Sequence, residues 1–262
     1  MIQGIIKSAP EIEFMRESGR LLAQVFTMLD DIVKEGISTL EVNSQVENYI
    51  RKQLNARPAS LGQYGYQFCL NSSINEVVCH GMPSANKKLS AKDIVNFDIT
   101  LEKNGFIADS SKMYLMSQTS PIAKKLVKTT YEAMWAGIRE VKPGATLGDI
   151  GAAVQAVAEK QGYSIVKEYC GHGIGKEMHE EPQILHYGKR GRGPELKAGM
   201  TFTIEPMVNQ GKAKTKTKKD GWTVVTADKK LSAQWEHTIL VTQNGFEVLT
   251  LRPEESHLIH SN

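Results

Sequence analysis

IVNFDITLEKNGFIADSSKMY, residues 94–114, decides the reading of this chain. Two runs rich in β-branched and aromatic residues flank a turn signal, so the stretch reads as antiparallel strands, Val95–Leu101 and Phe106–Met116. Each strand is interrupted by a carboxylate, Asp98 in the first and Asp109 in the second. An isolated carboxylate is costly to bury, so such groups are paired, protonated or bound to a metal. If Glu102–Gly105 forms a four-residue loop, Asp98 lies directly opposite Asp109, with Cβ atoms about 5 Å apart. Two carboxylates that close repel unless a cation sits between them. A two-residue turn at Asn104-Gly105 shifts the register and spoils this opposition.

Further along the chain, the same pattern recurs. His172 sits among glycines in CGHGIG, Glu205 ends the apolar run of TFTIEPM, and Glu236 interrupts QWEHTIL. The glycines let backbone approach a bound ion or substrate closely and leave the imidazole accessible. Four carboxylates and one imidazole make an oxygen-dominated donor set suited to Mn²⁺, Fe²⁺, Co²⁺ or Zn²⁺, and the absence of thiolates argues against a structural zinc site. One divalent cation balances four negative charges poorly, and two do better. Paired metal sites hold ions roughly 3.5–4 Å apart and acidify a shared water. His80 in CHGMP and His179 in MHEEP also stand beside glycine or proline and join the candidates.

Helices are expected from the capping box Ser8–Glu11 to near Gly36, from Leu40 to about Leu54, and over 121–141 and 147–161. Strands are expected at Thr201–Ile204, Trp222–Thr226 and Gln234–Thr242. A faint repeat pairs Gly36-Ile-Ser-Thr-Leu40 with Gly144-Ala-Thr-Leu147, each between a long helix and strands that carry candidate ligands. With no linker between the halves, the reading is one α/β (α+β) domain, 1–262, with internal pseudo-symmetry. The 262 residues, 40% of them hydrophobic, suffice for one sizeable core, and a net charge of +3 does not by itself argue for nucleic acid. Five lysines lie between Gly211 and Gly221. That run reads first as a solvated hairpin; contact by Lys212–Lys219 with an anionic partner such as ribosomal RNA is the alternative. Three cysteines without CxxC spacing, no signal-peptide run at the N-terminus and no membrane-length apolar stretch point to a cytoplasmic protein, expected to be a monomer.

Taken together, KSAPEIEFMRESG, SINEVVCHGMP, EYCGHGIG, HEEPQILHY, GMTFTIEPM, DGWTV and LSAQWEHTIL resemble the type I methionine aminopeptidases, in their short bacterial form, over nearly the whole chain. The resemblance implies the pita-bread fold, two antiparallel α/β halves related by a pseudo-twofold. It implies that Asp98, Asp109, His172, Glu205 and Glu236 hold two divalent ions (Co, Mn, Fe or Zn). His80 would contact substrate near its N-terminal amine, His179 would bond the scissile amide, and Glu205 would double as proton shuttle. The implied substrate is a nascent polypeptide or peptide with a small second residue. Departures from the family lie around the first-residue pocket. Gln63 stands where many members carry tyrosine, Ser60 and Asn71 stand where they carry cysteine, and Met178 replaces an aromatic; Tyr66 and Trp222 are retained. Gln63 and Asn71 would add polarity that an apolar side chain does not satisfy. Ala108 beside the second ligand, where the family usually has glycine, is expected to crowd the site slightly. Three readings compete: a methionine aminopeptidase, an accessory aminopeptidase with shifted or relaxed first-residue selectivity, and a non-catalytic module of the same fold that binds protein or RNA.

Overall fold

A computed structural model describes residues 5–259 of the chain. The first part runs α1 (Ala9–Ile32), α2 (Thr39–Asn48), β1 (Arg57–Pro58), β2 (Leu70–Ile74), β3 (Val77–Cys79), β4 (Ile94–Lys103) and β5 (Phe106–Leu115). Next come α3 (Pro121–Arg139), α4 (Leu147–Lys160), β6 (Ser164–Ile165), β7 (Gly171–Gly173), β8 (Glu180–Ile184), β9 (Thr201–Ile204) and β10 (Met207–Asn209). The chain closes with β11 (Thr215–Thr217), β12 (Val224–Thr226), β13 (Ser232–Gln234), β14 (His237–Val241) and β15 (Phe246–Val248).

α1 starts where its sequence says it should. Glu11 accepts hydrogen bonds from the Ser8 amide at 2.9 Å and the Ser8 hydroxyl at 2.8 Å, closing the capping box. Its buried stripe of Leu22, Val25, Phe26 and Leu29 packs with Val95, Phe97 and Ile99 of β4 and with α2. Each such side chain contributes on the order of 1.5–3 kcal/mol relative to exposure. The second core lies under α3 and α4, where Leu126, Met134, Trp135, Ile150 and Val154 meet Phe202 and Ile204 of β9 and Ile239 of β14. Both halves thus place a helix pair on one face of antiparallel strands.

Three expected elements differ. The helix at Leu40–Leu54 is α-helical only to Asn48 and then widens into a π turn over Tyr49–Gln53. The strand at 222–226 begins at Val224, because the amides of Trp222 and Thr223 donate to Asp220 at 3.0 and 2.9 Å and hold that corner as a turn. The run 234–242 is broken at Trp235–Glu236. Gln234 pairs with Met207 in one sheet, whereas His237 pairs with Ile204 in another.

The two halves meet at a seam. The Asp109 amide donates to Thr238 Oγ1 at 3.0 Å, which donates to the Asp109 carbonyl at 2.7 Å. Ser110 Oγ donates to the Glu236 carbonyl at 2.7 Å, and Ser111 bridges Glu236. Candidate ligands from both ends of the chain become neighbours at this seam.

Candidate metal centre and active-site cavity

The β4–β5 hairpin turns through two residues, Asn104 and Gly105, both with positive φ (54° and 80°), as a type I′ turn requires. Asp98 therefore faces Ser111, and Asp109 faces Thr100, so the direct opposition expected from a four-residue loop is not formed. The shift is by two positions, which preserves the face. Asp98 and Asp109 are diagonal neighbours, and their carboxyl groups share a hydrogen bond.

The other three candidates close on this pair. His172 Nε2 lies 3.4 Å from Glu205 Oε1 and 3.9 Å from Asp109 Oδ2. Single ligand atoms of Asp109, His172 and Glu236 all fall within 4.8 Å of one another. Burial, reinforced by neighbouring carboxylates, holds Asp109 and Glu236 well above the ordinary carboxylate range; Asp98 is pushed up to about 6, by burial, and Glu205 to about 8, by burial and then Asp98. Asp109 Oδ1 is buried with no hydrogen-bond partner among the described residues. His172 Nδ1 lies 3.0 Å from the Gly173 carbonyl, to which it donates, leaving the Nε2 lone pair aimed at the acids. An orphaned carboxylate oxygen, an oriented imidazole and crowded acids that cannot all ionise together are what a divalent-cation site requires, and these residues fit one.

The glycines around His172 serve a purpose other than ligand approach. A Cβ on Gly171 would lie 2.4 Å from the Thr203 carbonyl oxygen, and one on Gly173 would lie 2.1 Å from that of Glu181. They let β7 wedge between β8 and β9. Ala108 causes no crowding either, because its methyl packs into the first-half core on the face opposite Asp109.

The acids form the floor of a cavity of about 520 Å³ whose walls include Ser60, Gln63, Tyr66, Asn71, His80, Met178, His179 and Trp222. Every candidate ligand, catalytic histidine and pocket residue named from the sequence thus lines one cavity. Of Gln63 and Asn71, the two departures expected to add polarity, Asn71 is engaged internally, as is Ser60. Asn71 stands opposite Asp98 on β2 and donates to its Oδ2 at 3.2 Å, and Ser60 Oγ lies 2.5 Å from Thr100 Oγ1. Tyr66 donates its hydroxyl to the Leu70 carbonyl at 3.0 Å and packs its ring 4.9 Å from that of Trp222, so it presents an apolar face. His80 has φ 55° and sets its ring edge-on to Tyr169 at 5.6 Å.

Sequence reasoning missed the groups that hold the floor in place. Thr203 Oγ1 donates to Glu205 Oε1 at 2.8 Å and accepts the His172 amide at 3.0 Å, while Gln234 Nε2 donates to Glu205 Oε2 at 3.2 Å. Both sit two residues before a candidate ligand, and that period-two spacing was the signal available. The Glu205 amide donates to His186 Nε2 at 3.0 Å; burial drives His186 down to about 3 and keeps it neutral. Tyr64, at φ 50° and 74% exposed, stacks on His179 with centroids 5.9 Å apart.

Comparison with known proteins agrees with this geometry. Residues 13–243 match metallopeptidase family M24. The chain is 51% identical to a methionine aminopeptidase of Escherichia coli over 96% of its own length and 95% of that protein's. A crystal structure of methionine aminopeptidase from Rickettsia prowazekii superposes with a TM-score of 0.91 at 47% identity, covering 94% of this chain and 99% of that one. A prolidase from Pyrococcus furiosus, 23% identical, shares the pita-bread fold alone, with a TM-score of 0.76 over 94% of this chain and 65% of its own. This chain belongs to metallopeptidase family M24 and, within it, to the methionine aminopeptidases.

Proposed function

We propose that this enzyme removes the N-terminal methionine from peptides and nascent chains with a small second residue. The observation that carries the reading is the convergence of four buried carboxylates and an oriented imidazole beneath a cavity walled by Met178, Tyr66 and Trp222. It stands in a chain half identical to methionine aminopeptidases over nearly its whole length.

In this reading Asp98, Asp109, His172, Glu205 and Glu236 hold two divalent ions, drawn from Co, Mn, Fe or Zn. Ions bound there would offset the crowded negative charge and would supply an acidified water for attack on the first peptide bond. Glu205, fixed at both oxygens by Thr203 and Gln234, takes the proton of the attacking water and delivers it to the nitrogen of the departing peptide. His179 at the cavity mouth donates to the scissile carbonyl oxygen as charge develops on it. His80 orients the substrate near its amine, and Met178, Tyr66 and Trp222 enclose the first side chain. The whole chain, 1–262, acts as one pita-bread unit and works as a monomer in the cytoplasm. Its three cysteines are free thiols, which supports a reducing compartment. Among the described residues no helix is long and apolar enough to cross a membrane. The five lysines of the β11–β12 hairpin region are all exposed, which supports contact with an anionic partner such as ribosomal RNA.

Purified protein supplied with Mn²⁺ or Co²⁺ should release methionine from Met-Ala-Ser, and Glu205→Ala should abolish release and weaken metal binding. Near-normal turnover by Glu205→Ala would remove Glu205 from its assigned role. Failure of the wild type with every metal, while peptides with other first residues are cleaved, would sink the proposed activity.

A further inference from the structure

We infer that the first-residue pocket also accepts oxidised methionine, with Gln63 donating a hydrogen bond to the sulfoxide oxygen. This rests on reading the cavity as the site that holds the N-terminal methionine. Of the three polar side chains that distinguish its wall, two are already engaged: Asn71 bonds Asp98, and Ser60 bonds Thr100. Tyr66 has turned its hydroxyl away onto backbone carbonyls. Gln63 is the exception. The residue lines the cavity and is half-buried, and its carboxamide has no hydrogen-bond partner among the described residues.

A carboxamide in that position offers two N–H donors in the cavity that Met178, Tyr66 and Trp222 also line. Methionine sulfoxide has the skeleton of methionine with one oxygen added at sulfur, a hydrogen-bond acceptor with no donor of its own. Buried among Met178, Tyr66 and Trp222 alone, that oxygen would lose its water without compensation. Gln63 supplies the missing donor. Unoxidised methionine still fits, because a half-exposed carboxamide keeps its bonds to water when the ligand offers none. The sulfur takes no part in the reaction: water adds across the first peptide bond, methionine sulfoxide and the shortened peptide leave, and no reductant is consumed.

The test compares Met-Ala-Ser with each sulfoxide epimer of the same peptide on the Mn²⁺-loaded enzyme, with released amino acid measured by chromatography. At least one epimer should be cleaved with a kcat/KM within about tenfold of the unoxidised peptide, as one neutral hydrogen bond offsets the added polarity. A single fixed donor should also favour one epimer over the other. Gln63→Leu should lower the sulfoxide-to-methionine ratio by about tenfold. Gln63→Glu, of the same size but unable to donate when ionised, should lower it at least as much. Cleavage of Met-Ala-Ser with both sulfoxides refused would overturn this inference and leave the proposed activity standing. Refusal of all three peptides would overturn both. Cleavage of a sulfoxide with the ratio unchanged in both variants would remove Gln63 as its donor.

Discussion

The floor and the mouth of the cavity are built on different principles. The floor consists of side chains on or beside strands of two sheets, fastened through side chain or backbone to neighbouring residues. Thr203 serves both Glu205 and His172, Thr238 clamps Asp109, and Ser110 holds the Glu236 backbone. The mouth is made of loops. Tyr64 is a non-glycine residue in a left-handed conformation and three-quarters exposed, and Gln63 beside it has an unengaged carboxamide. A floor of this kind fixes chemistry to a fraction of an ångström. A mouth of this kind tolerates substitution and so carries selectivity.

Breaking the floor should therefore cost far more than altering the mouth. Asp109→Asn removes a charge from the shared seam and should lower turnover by about 10²–10⁴-fold, with reduced metal content by elemental analysis. Retention of both would place the ions away from the seam. Thr203→Val keeps the shape of that side chain but removes its donor to Glu205 and its acceptor for the His172 amide. It should cost about 10–100-fold in kcat or metal affinity. A loss within twofold would mean the strand alone positions Glu205.

The floor also differs from the mouth in how it responds to metal removal. Between about pH 7.5 and 8.5 an unfolded chain has ionised carboxylates and largely neutral histidines. In the metal-free fold Glu205 keeps its proton to about pH 8, and Asp109 and Glu236 are also raised. The folded state then binds more protons than the unfolded one, so stability falls as pH rises across this window. His172 and His186, held near 3, act in the opposite direction only below the window, where the unfolded histidines charge. Melting temperature of the metal-free protein should drop from about pH 7.5 to 8.5, and saturating Mn²⁺ should flatten the curve. A metal-free melting temperature that stays level or climbs would show that the acids do not strain the floor.

How much of this was legible in the sequence follows the same division. Carboxylates set in β-branched text announced the floor, because strand propensity and buried charge conflict there in a way that a cation resolves. The hairpin register was not fixed by that text. Asn104-Gly105 supports the two-residue turn, yet Glu102–Gly105 could also form a longer loop, and only strand pairing decides. The break at Trp235–Glu236 was invisible because the apolar run continues through it while its hydrogen-bond partners change sheets. The polarity of Asn71 was misjudged for a related reason: its partner Asp98 lies on another strand, and a linear reading does not show which side chains already satisfy one another. Tyr64 gave no signal, since an exposed aromatic in a loop has neither period nor motif.

Tyr64 supplies the smallest predicted effect and the sharpest check on the division. Its hydroxyl lies 3.4 Å from His179 Nδ1, long for a hydrogen bond, while its ring stacks nearly parallel to the imidazole at 11°. A hydroxyl that donates to Nδ1 leaves the proton of a neutral imidazole on Nε2, where it can reach a substrate carbonyl. Tyr64→Phe keeps the stack and removes only this weak bond, so kcat on Met-Ala-Ser should fall by no more than about fivefold with KM little changed. Tyr64→Ala removes the stack as well and should raise KM more than it lowers kcat, because His179 then loses the surface that holds its ring. If Tyr64→Phe instead proved as damaging as Thr203→Val, the mouth would hold a group as tightly fixed as the floor, and the separation of chemistry from selectivity would not describe this enzyme.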